Sequence, residues 1–195
     1  MTRSFRAEPI EPERLRALFT DALRAPSAGF AQATEFLVLT DPVRRECFWD
    51  LVSDAEWRGT APGAAGLLRA PAIALCLVDP AAYRSRYAAD DKSATSSLGS
   101  DVADWPVSYP AVDAAFAAMI VLLGAEDAGL GALFFHLQGR ERAVLDGLGV
   151  PHRFDAIGAV ALGERHGERA STSPSRIARR ASGDRIHFET FTTSS

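Results

Sequence analysis

One segment constrains the fold of this 195-residue chain more than any other. Residues 110–127 carry large apolar side chains around nearly the whole circumference of a helix, among them Phe116, Met119 and Leu123. A helix that is apolar nearly all round is normally buried, so the pattern predicts a central core helix with other elements packed against it. The Gly-Leu-Gly sequence at 129–131 is a typical helix end.

Shorter patterns predict helices and strands that alternate around this helix. Apolar residues recur at helical spacing in 11–24. Asp41 and Pro42 indicate the capped start of another helix, which extends to about Trp57. Four strands are expected at 36–39, 72–78, 132–135 and 156–162, and one short helix at 140–148. The first two strands are apolar enough to be buried on both faces. The order favours one α+β domain over 1–195, with helices packed on a central sheet.

Two segments interrupt this alternation. Residues 79–109 are polar and rich in Ser and Asp, and a connection of that length is typical of a functional flap or a flexible excursion. A helix is expected within it, around 81–88. Residues 170–195 form an Arg- and Ser-rich tail, which ends in the alternating apolar piece 186–191.

The composition argues against several classes of function. The net charge of −4 does not favour a nucleic-acid-binding protein. No segment is expected to span a membrane, because the best candidate, 111–125, is short. The first residues lack the apolar run of a signal peptide, so a cytoplasmic location is expected. Cys47 and Cys76 have neither metal-binding nor redox spacing and are expected to be core residues.

No known arrangement of catalytic side chains is evident. The chain lacks a phosphate-binding glycine loop and a nucleophile elbow, and its four histidines lack metal-ligand spacing. The neighbouring carboxylates Asp90 and Asp91 are more typical of a solvated surface than of an acid–base pair. If the chain is an enzyme, the pattern indicates that a cofactor supplies the chemistry and that no side chain is itself catalytic.

Several short motifs follow one another along the chain. Thr2–Arg6 contains Arg-Ser-x-Arg, and Ala25–Gln32 reads APSAGFAQ. A long helix that ends in Gly-Leu-Gly is followed by a strand and a glycine loop, here Phe134–Gly139, and the basic stretch Arg176–Arg180 precedes an Ile-His-Phe ending. In this order the motifs resemble those of the nitroreductase family of FMN-dependent oxidoreductases, whose opening is RRSxR and whose first loop is APSxxNxQPW. Residues 104–115, DWPVSYPAVDAA, resemble an actinobacterial-type branch whose substrates are not identified.

The resemblance implies a central mixed sheet flanked by helices, a long buried core helix and a C-terminal extension. It implies a homodimer with flavin sites at the subunit interface. It also implies that hydride from NADH or NADPH passes through N5 of FMN to a small organic acceptor, such as a nitroaromatic, a quinone or an enone, in a ping-pong scheme. No metal is implied.

The residues that match the family's flavin-binding motifs fall into three groups. Arginine forks suit a phosphate dianion, and the phosphate candidates are Arg3, Ser4, Arg6, Arg179 and Arg180. The ring candidates are Pro26, Ser27, Ala28 and Gly29, reaching in from the partner subunit, together with His136, Leu137, Gln138 and Gly139, whose loop directs a backbone N–H at N5. The acceptor-pocket candidates are Phe30, Trp105 and Tyr109.

The small residues in the first loop suit this role because they give a rigid turn, a hydroxyl and little bulk, so that backbone can approach a flat ring. An ordinary helix-ending turn is the alternative. For the arginines the alternative is solvated surface charge and a disordered tail, and for Phe30, Trp105 and Tyr109 it is core packing or a disordered flap.

The chain departs from the family pattern at several positions. Thr2 replaces the first Arg, Phe30 replaces an Asn, Ala33 and Thr34 replace Pro-Trp, and the helix that usually precedes the first motif is missing. Two alternatives therefore stay open. One is the same fold with other flavin chemistry, namely dehalogenation, flavin cleavage or a deazaflavin donor. The other is a module without catalysis, with or without flavin.

Overall fold

The computed structural model describes residues 1–93, 105–167, 177–178 and 185–191. The helices in these ranges are α1 (Pro12–Ala22), α2 (Pro42–Val52), α3 (Ala55–Thr60), α4 (Ala64–Leu67), α5 (Pro80–Tyr87), α6 (Asp90–Ser93), α7 (Tyr109–Asp127) and α8 (Glu141–Gly147). The strands are β1 (Thr34–Leu39), β2 (Ala72–Val78), β3 (Gly131–Phe135) and β4 (Asp155–Gly163). A 3-10 turn, Ala28–Phe30, precedes β1. The order and the α+β class confirm the sequence prediction.

The four strands form one sheet in the order β1-β2-β4-β3. Thr34 pairs with Val78, Ala72 with Leu162, and Gly131 with Gly163. Every pairing among the described strands is antiparallel, so the expected mixed sheet is wrong in this respect. The reason lies in the strand order: β3 runs parallel to β2, but β4 lies between them.

Helices cover both faces of the sheet. Along β2, Ile73, Leu75 and Leu77 face the layer formed by α2 and α8, whereas Ala72 and Cys76 face α1 and α7. All seven residues of β2 are buried, as expected. The strand β1 differs from the expectation, because it lies at the edge of the sheet and is only partly buried.

The longest helix, α7, is apolar all round, but in a single chain it buries only one face. Its buried side carries small residues: Ala118, Val121 and Ala125 pack with α1 and the sheet, Ala114 packs with Val78, Tyr83 and Trp105, and Ala117 is also buried. The larger Phe116, Met119 and Leu123 lie exposed on the opposite side. The expectation of a wholly buried core helix is therefore wrong for the isolated chain, because no described element packs over this face.

By length and composition alone, α7 is the one helix in the described ranges that could cross a membrane. This differs from the expectation that no segment is long enough. The helix has neighbours on one side, since it packs against α1 and against strands β1 to β4. These contacts are typical of a core helix.

The helix predicted to extend from Pro42 to about Trp57 is divided in two. The Ser53 hydroxyl donates to the Trp49 carbonyl oxygen at 2.6 Å, which satisfies a carbonyl at the end of α2. The Asp54 carboxylate then accepts from the Trp57 amide at 2.8 Å and caps α3. This break turns the chain, so that Trp49 and Trp57 stack on each other.

Candidate functional site

A cavity of about 530 Å³ lies between the N-terminal segment, the α2–α3 turn and the loop that follows β3. Its lining combines aromatic rings, two arginines and a few polar groups: Met1, Arg3, Trp49, Val52, Ser53, Asp54, Trp57, Leu67, Leu133, Phe134, Phe135, His136, Gln138 and Arg140. Two segments that the sequence singled out, at 2–6 and 134–139, thus meet at one cavity.

Backbone hydrogen bonds hold the N-terminal segment against the sheet. The Thr2 amide donates to the Ala132 carbonyl at 2.9 Å, and the Phe5 amide donates to the Gly66 carbonyl at 3.1 Å. A Cβ on Gly66 would lie 2.6 Å from the Arg3 carbonyl oxygen, so only glycine permits this close approach. The contacts fix the backbone of Arg3 at the wall of the cavity.

Thr2, which replaces the family's first Arg, does not line the cavity. Its side chain packs over Gly131, where a Cβ would meet Thr2 Oγ1 at 2.7 Å. Thr2 therefore supplies a small side chain for close packing of the N-terminal segment on β3.

The arginines differ in what they contact. Many donate to main-chain carbonyls: Arg44 binds the Leu148 oxygen at 2.9 Å, and Arg45 binds the Ala70 oxygen at 2.9 Å. Arg3 and Arg6 are exposed and have neither an ion pair nor a side-chain hydrogen bond in the ranges that the structure describes. Ser4 lies beside them, with its hydroxyl 3.4 Å from Arg69 Nη2. Arg179 and Arg180 lie outside the described residues.

Stacked aromatic rings form one wall of the cavity. Trp49 lies between Phe135, at a centroid distance of 5.6 Å and an angle of 11°, and Trp57, at 6.5 Å and 17°. Trp49 is only 2% exposed, and its indole N–H has no acceptor among the described residues. A buried donor without an acceptor costs about 1–3 kcal/mol, and because the indole nitrogen is fully covered, its N–H does not reach the cavity.

The loop after β3 has a fixed shape. Gln138 and Gly139 adopt φ values of 62° and 76°, and the Gln138 amide donates to His136 Nδ1 at 2.9 Å. Because Nδ1 accepts, the neutral imidazole carries its proton on Nε2, which lies 3.0 Å from Glu141 Oε1. Leu137 is fully buried and anchors the loop. The Gln138 amide is thus already paired within the loop.

A bulge in the sheet sets the position of the aromatic wall. The register between β2 and β4 shifts at Cys76 and Leu77, and beside it Gly158 adopts a φ of 148°. A Cβ on Gly158 would lie 2.6 Å from the Phe134 ring and 2.7 Å from the Phe135 carbonyl oxygen. Only glycine lets these two cavity residues pack so closely on β4.

The structure places the first loop elsewhere. Loop 26–32 precedes β1, and loop 136–139 follows β3, so both lie at the same end of the sheet but on opposite edges. Three strand spacings of about 4.8 Å separate these edges by roughly 14 Å. Within one chain, Pro26, Ser27, Ala28 and Gly29 therefore do not line the cavity.

The three acceptor-pocket candidates lie beside that loop rather than at the cavity. Trp105 is buried, with Tyr87 and Tyr109 at centroid distances of 5.0 and 5.9 Å. This is the core packing that the sequence left open as an alternative. Phe30 is 73% exposed. The sequence analysis missed Trp49 and Trp57, although two of the three tryptophans of the chain lie close together in 49–57.

A model of the nitroreductase family matches residues 1–164. The chain belongs to the nitroreductase family. Membership makes it an FMN-dependent oxidoreductase, which confirms the resemblance in the sequence. No curated protein matches this nitroreductase in sequence.

Solved structures share the fold of this nitroreductase. Nitroreductase A from Vibrio parahaemolyticus has a TM-score of 0.71 at 19% identity, over 100% of this chain and 73% of that one. The NADPH:FMN oxidoreductase from Vibrio harveyi, complexed with NAD+, has 0.69 at 18%, over 100% and 75%. An FMN-dependent nitroreductase from Clostridium difficile has 0.63 at 20%, over 97% and 94%. At these identities the likeness shows the fold.

The groups at the cavity fit FMN. A phosphate dianion needs cationic donors that are not already neutralised, and Arg3 meets this need. A flat amphipathic ring needs apolar walls, which the stacked rings of Trp49, Trp57 and Phe135 offer. Asp54 also lines the cavity, but its carboxylate is engaged by the Trp57 amide.

Proposed function

We propose that this nitroreductase takes hydride from NADH or NADPH and delivers it to a small organic acceptor, such as a nitroaromatic, a quinone or an enone, in a ping-pong scheme. Arg3 carries the proposal, because it is exposed at the rim of an aromatic cavity and has no carboxylate partner among the residues that the structure describes. When bound, FMN supplies a ring nitrogen, N5, that accepts and donates hydride. The protein's part is to bind, orient and exclude water.

The residues at the cavity divide this work. Arg3 at the cavity wall holds the phosphate, helped by Ser4 and Arg6 of the same N-terminal segment, which do not line the cavity, and by Arg179 and Arg180 from the tail. The stacked rings of Trp49, Trp57 and Phe135 form the apolar wall for the ring, and the backbone of 136–139 contacts it. No side chain in this set needs to act as an acid or base on the cofactor, in keeping with the lack of a catalytic dyad in the sequence.

We also propose that the active protein is a cytoplasmic homodimer in which α7 packs against its copy. The exposed side chains Ala115, Phe116, Met119 and Leu123 share one face of α7 at spacings of one, three and four residues. A continuous apolar surface of this kind marks a protein interface. A twofold axis lets one such surface cover itself in both subunits.

In this dimer the flavin sites lie at the interface. Loop 26–32 packs on the start of α7, since the Ala28 amide donates to Asp113, so it lies beside the face that the second copy covers. Pro26, Ser27, Ala28 and Gly29 then reach the ring bound by the partner subunit. Phe30 lines the acceptor space there, with Trp105 and Tyr109 behind it.

The deciding experiment is the visible spectrum of the purified full chain, before and after NADPH is added without oxygen. We expect an oxidised-flavin spectrum that bleaches. Arg3→Ala should lower the FMN affinity by roughly tenfold or more, because a charge-assisted hydrogen bond is lost. Arg16→Ala, on the exposed side of α1, is the matched control and should change nothing.

Three other results would each contradict a different part of the proposal. A flavin spectrum that NADH and NADPH both fail to bleach would contradict the nicotinamide donor and favour other flavin chemistry. A chain that takes up no FMN even when it is soaked would contradict the cofactor site itself. Equal FMN affinities for the Arg3 and Arg16 variants would move the phosphate away from this cavity.

A further inference from the structure

Loop 27–32 has an unfavourable backbone conformation. Gly29, Phe30 and Gln32 all adopt left-handed φ values, of 61°, 59° and 50°. Only glycine adopts this region freely, so Phe30 and Gln32 are held there against their intrinsic preference. The loop therefore needs contacts from elsewhere in the fold to keep its shape.

One contact comes from a buried carboxylate on α7. Asp113 is 4% exposed, and its Oδ2 accepts from the Ala28 amide at 2.7 Å and from the Tyr83 hydroxyl at 2.7 Å. Burial, and then the bond to Asp113, raise the pKa of Tyr83 well above its usual value, so its hydroxyl remains a donor. The carboxylate thereby joins the loop, α5 and α7.

A second contact comes from α5. Arg86 Nε donates to the Gly29 carbonyl at 2.7 Å, and its two Nη atoms contact both oxygens of Asp91, at 2.8 and 2.7 Å. The forked ion pair fixes the plane of the guanidinium. A Cβ on Gly29 would lie 3.1 Å from the Tyr87 ring, so the loop also packs closely on α5.

These contacts fix the loop from both sides, yet its tip has little contact. Phe30 is 73% exposed although it is a large apolar side chain. A protein that immobilises a strained loop gains nothing within its own chain by exposing an aromatic ring at the tip. The arrangement suits a loop that completes a site on another molecule.

We infer that Asp113 and Arg86 are positioning residues that hold loop 27–32, with Phe30 at its tip, in the shape needed at the partner subunit's active site. The inference rests on the proposed function for the identity of that site. Asp113 acts through the Ala28 amide and Arg86 through the Gly29 carbonyl, so neither touches a substrate. Phe30 would present an apolar ring where the family has an Asn, which favours flat, uncharged acceptors.

The first test measures the loop in the full-length protein by amide hydrogen exchange. Asp113→Ala should speed exchange at Ala28 by about tenfold or more, because its charged acceptor is lost. Asp113→Asn keeps a side-chain oxygen for the same amide and should restore most of the protection. Arg86→Gln should loosen the loop further than Asp91→Asn, which leaves the bond from Arg86 to Gly29 in place.

The second test measures acceptor kinetics with 1,4-benzoquinone, far below the unfolding temperature. Asp113→Ala should lower kcat/KM by about tenfold and Asp113→Asn should lower it little, while both variants keep FMN. A purely structural role would lower thermal stability but leave kcat/KM of the folded fraction unchanged. That result would overturn the inference.

A mixed dimer shows whether the loop acts across the interface. The assay is run at an FMN concentration that leaves the weakened Arg3→Ala sites largely empty. A subunit with Arg3→Ala, paired through separate affinity tags with a subunit carrying Asp113→Ala, then has one intact site only if the loop serves its partner. We expect about half of the wild-type activity from such dimers. Activity no higher than in either parent variant would place the loop in its own subunit's site and overturn the inference.

The outcomes separate this inference from the proposed function. If wild-type protein bound no flavin, the proposed function and the catalytic role of the loop would both fail. The exchange data would still show whether Asp113 and Arg86 hold the loop in place. If wild-type protein were active but the Asp113 variants exchanged and turned over like wild type, only the positioning inference would fail.

Discussion

The two edges of the sheet differ in how well their polar groups are satisfied. At the β3 edge, an exposed arginine and a buried indole N–H have no partner among the described residues, and both residues line a cavity. At the β1 edge, Asp113, Tyr83 and Arg86 are all paired, yet Phe30 is exposed. The β3 edge thus has a cavity that can hold a ligand, whereas the β1 edge presents a loop that can enter a site on another molecule. In the proposed dimer these are the two halves of one site.

The largest effect is expected at the exposed face of α7, which would join the two subunits. Leu123→Asp places a charge on the exposed face of α7, and burying it would weaken a dimer by roughly 4 kcal/mol, or about a thousandfold in Kd. We expect monomers in analytical ultracentrifugation at micromolar concentration. Val43→Asp, at an equally exposed apolar residue on α2, is the control and should leave the mass unchanged. An unchanged dimer in the Leu123 variant would remove α7 from the interface.

The cavity at the β3 edge depends on one glycine. Gly158→Ala should lower the free energy of unfolding by about 2–4 kcal/mol, because the new Cβ meets both the Phe134 ring and the Phe135 carbonyl, in a backbone conformation that L-residues rarely adopt. Urea denaturation would measure the loss. Gly149→Ala is a useful comparison: its φ is also positive, but nothing lies within 4 Å of its Cβ. Equal losses in the two variants would mean that contact with the aromatic wall adds nothing.

The smallest effect is expected at the contacts that hold the loop beside the β1 edge. Tyr83→Phe removes one of the two hydrogen bonds to Asp113 and should cost about 1–2 kcal/mol at neutral pH, with Tyr87→Phe as the control. The raised pKa of Tyr83 also predicts a pH effect. Above about pH 10 the unfolded chain releases this proton and the folded chain keeps it, so stability falls as pH rises, by about 1.4 kcal/mol per unit. The phenylalanine variant should lack that part of the slope. If its slope above pH 10 equalled that of wild type, Tyr83 would not be the group that holds the proton.

Much of the fold could be predicted from local patterns. Caps such as Asp41, the run of apolar residues in β2 and the glycines after α7 act over a few residues, so their signals are contained in the sequence nearby. The missed break between α2 and α3 has a local cause too, since Ser53 and Asp54 end one helix and start the next. The sequence pattern did not predict that the described strands all pair antiparallel, because this depends on β4, which comes later in the chain than β3 but lies between β2 and β3 in the sheet.

The candidate site was less predictable. The N-terminal arginine and the loop after β3 were found through their motifs, but the aromatic wall depends on a stack between residues of α2, α3 and β3. Likewise, nothing near loop 26–32 in the sequence shows that a carboxylate at position 113 receives its amide. Contacts between distant segments are set by packing, and a single sequence does not display them.

The sequence by itself determined the elements, their order, the family and the demand that α7 be covered, since each follows from side-chain chemistry over short stretches. The tertiary structure decided which face of α7 remains open, which arginines are already engaged by carbonyls, and on which edge of the sheet each loop lies. The physical reason is that composition fixes how much apolar surface must be buried, whereas only the three-dimensional arrangement determines what buries it.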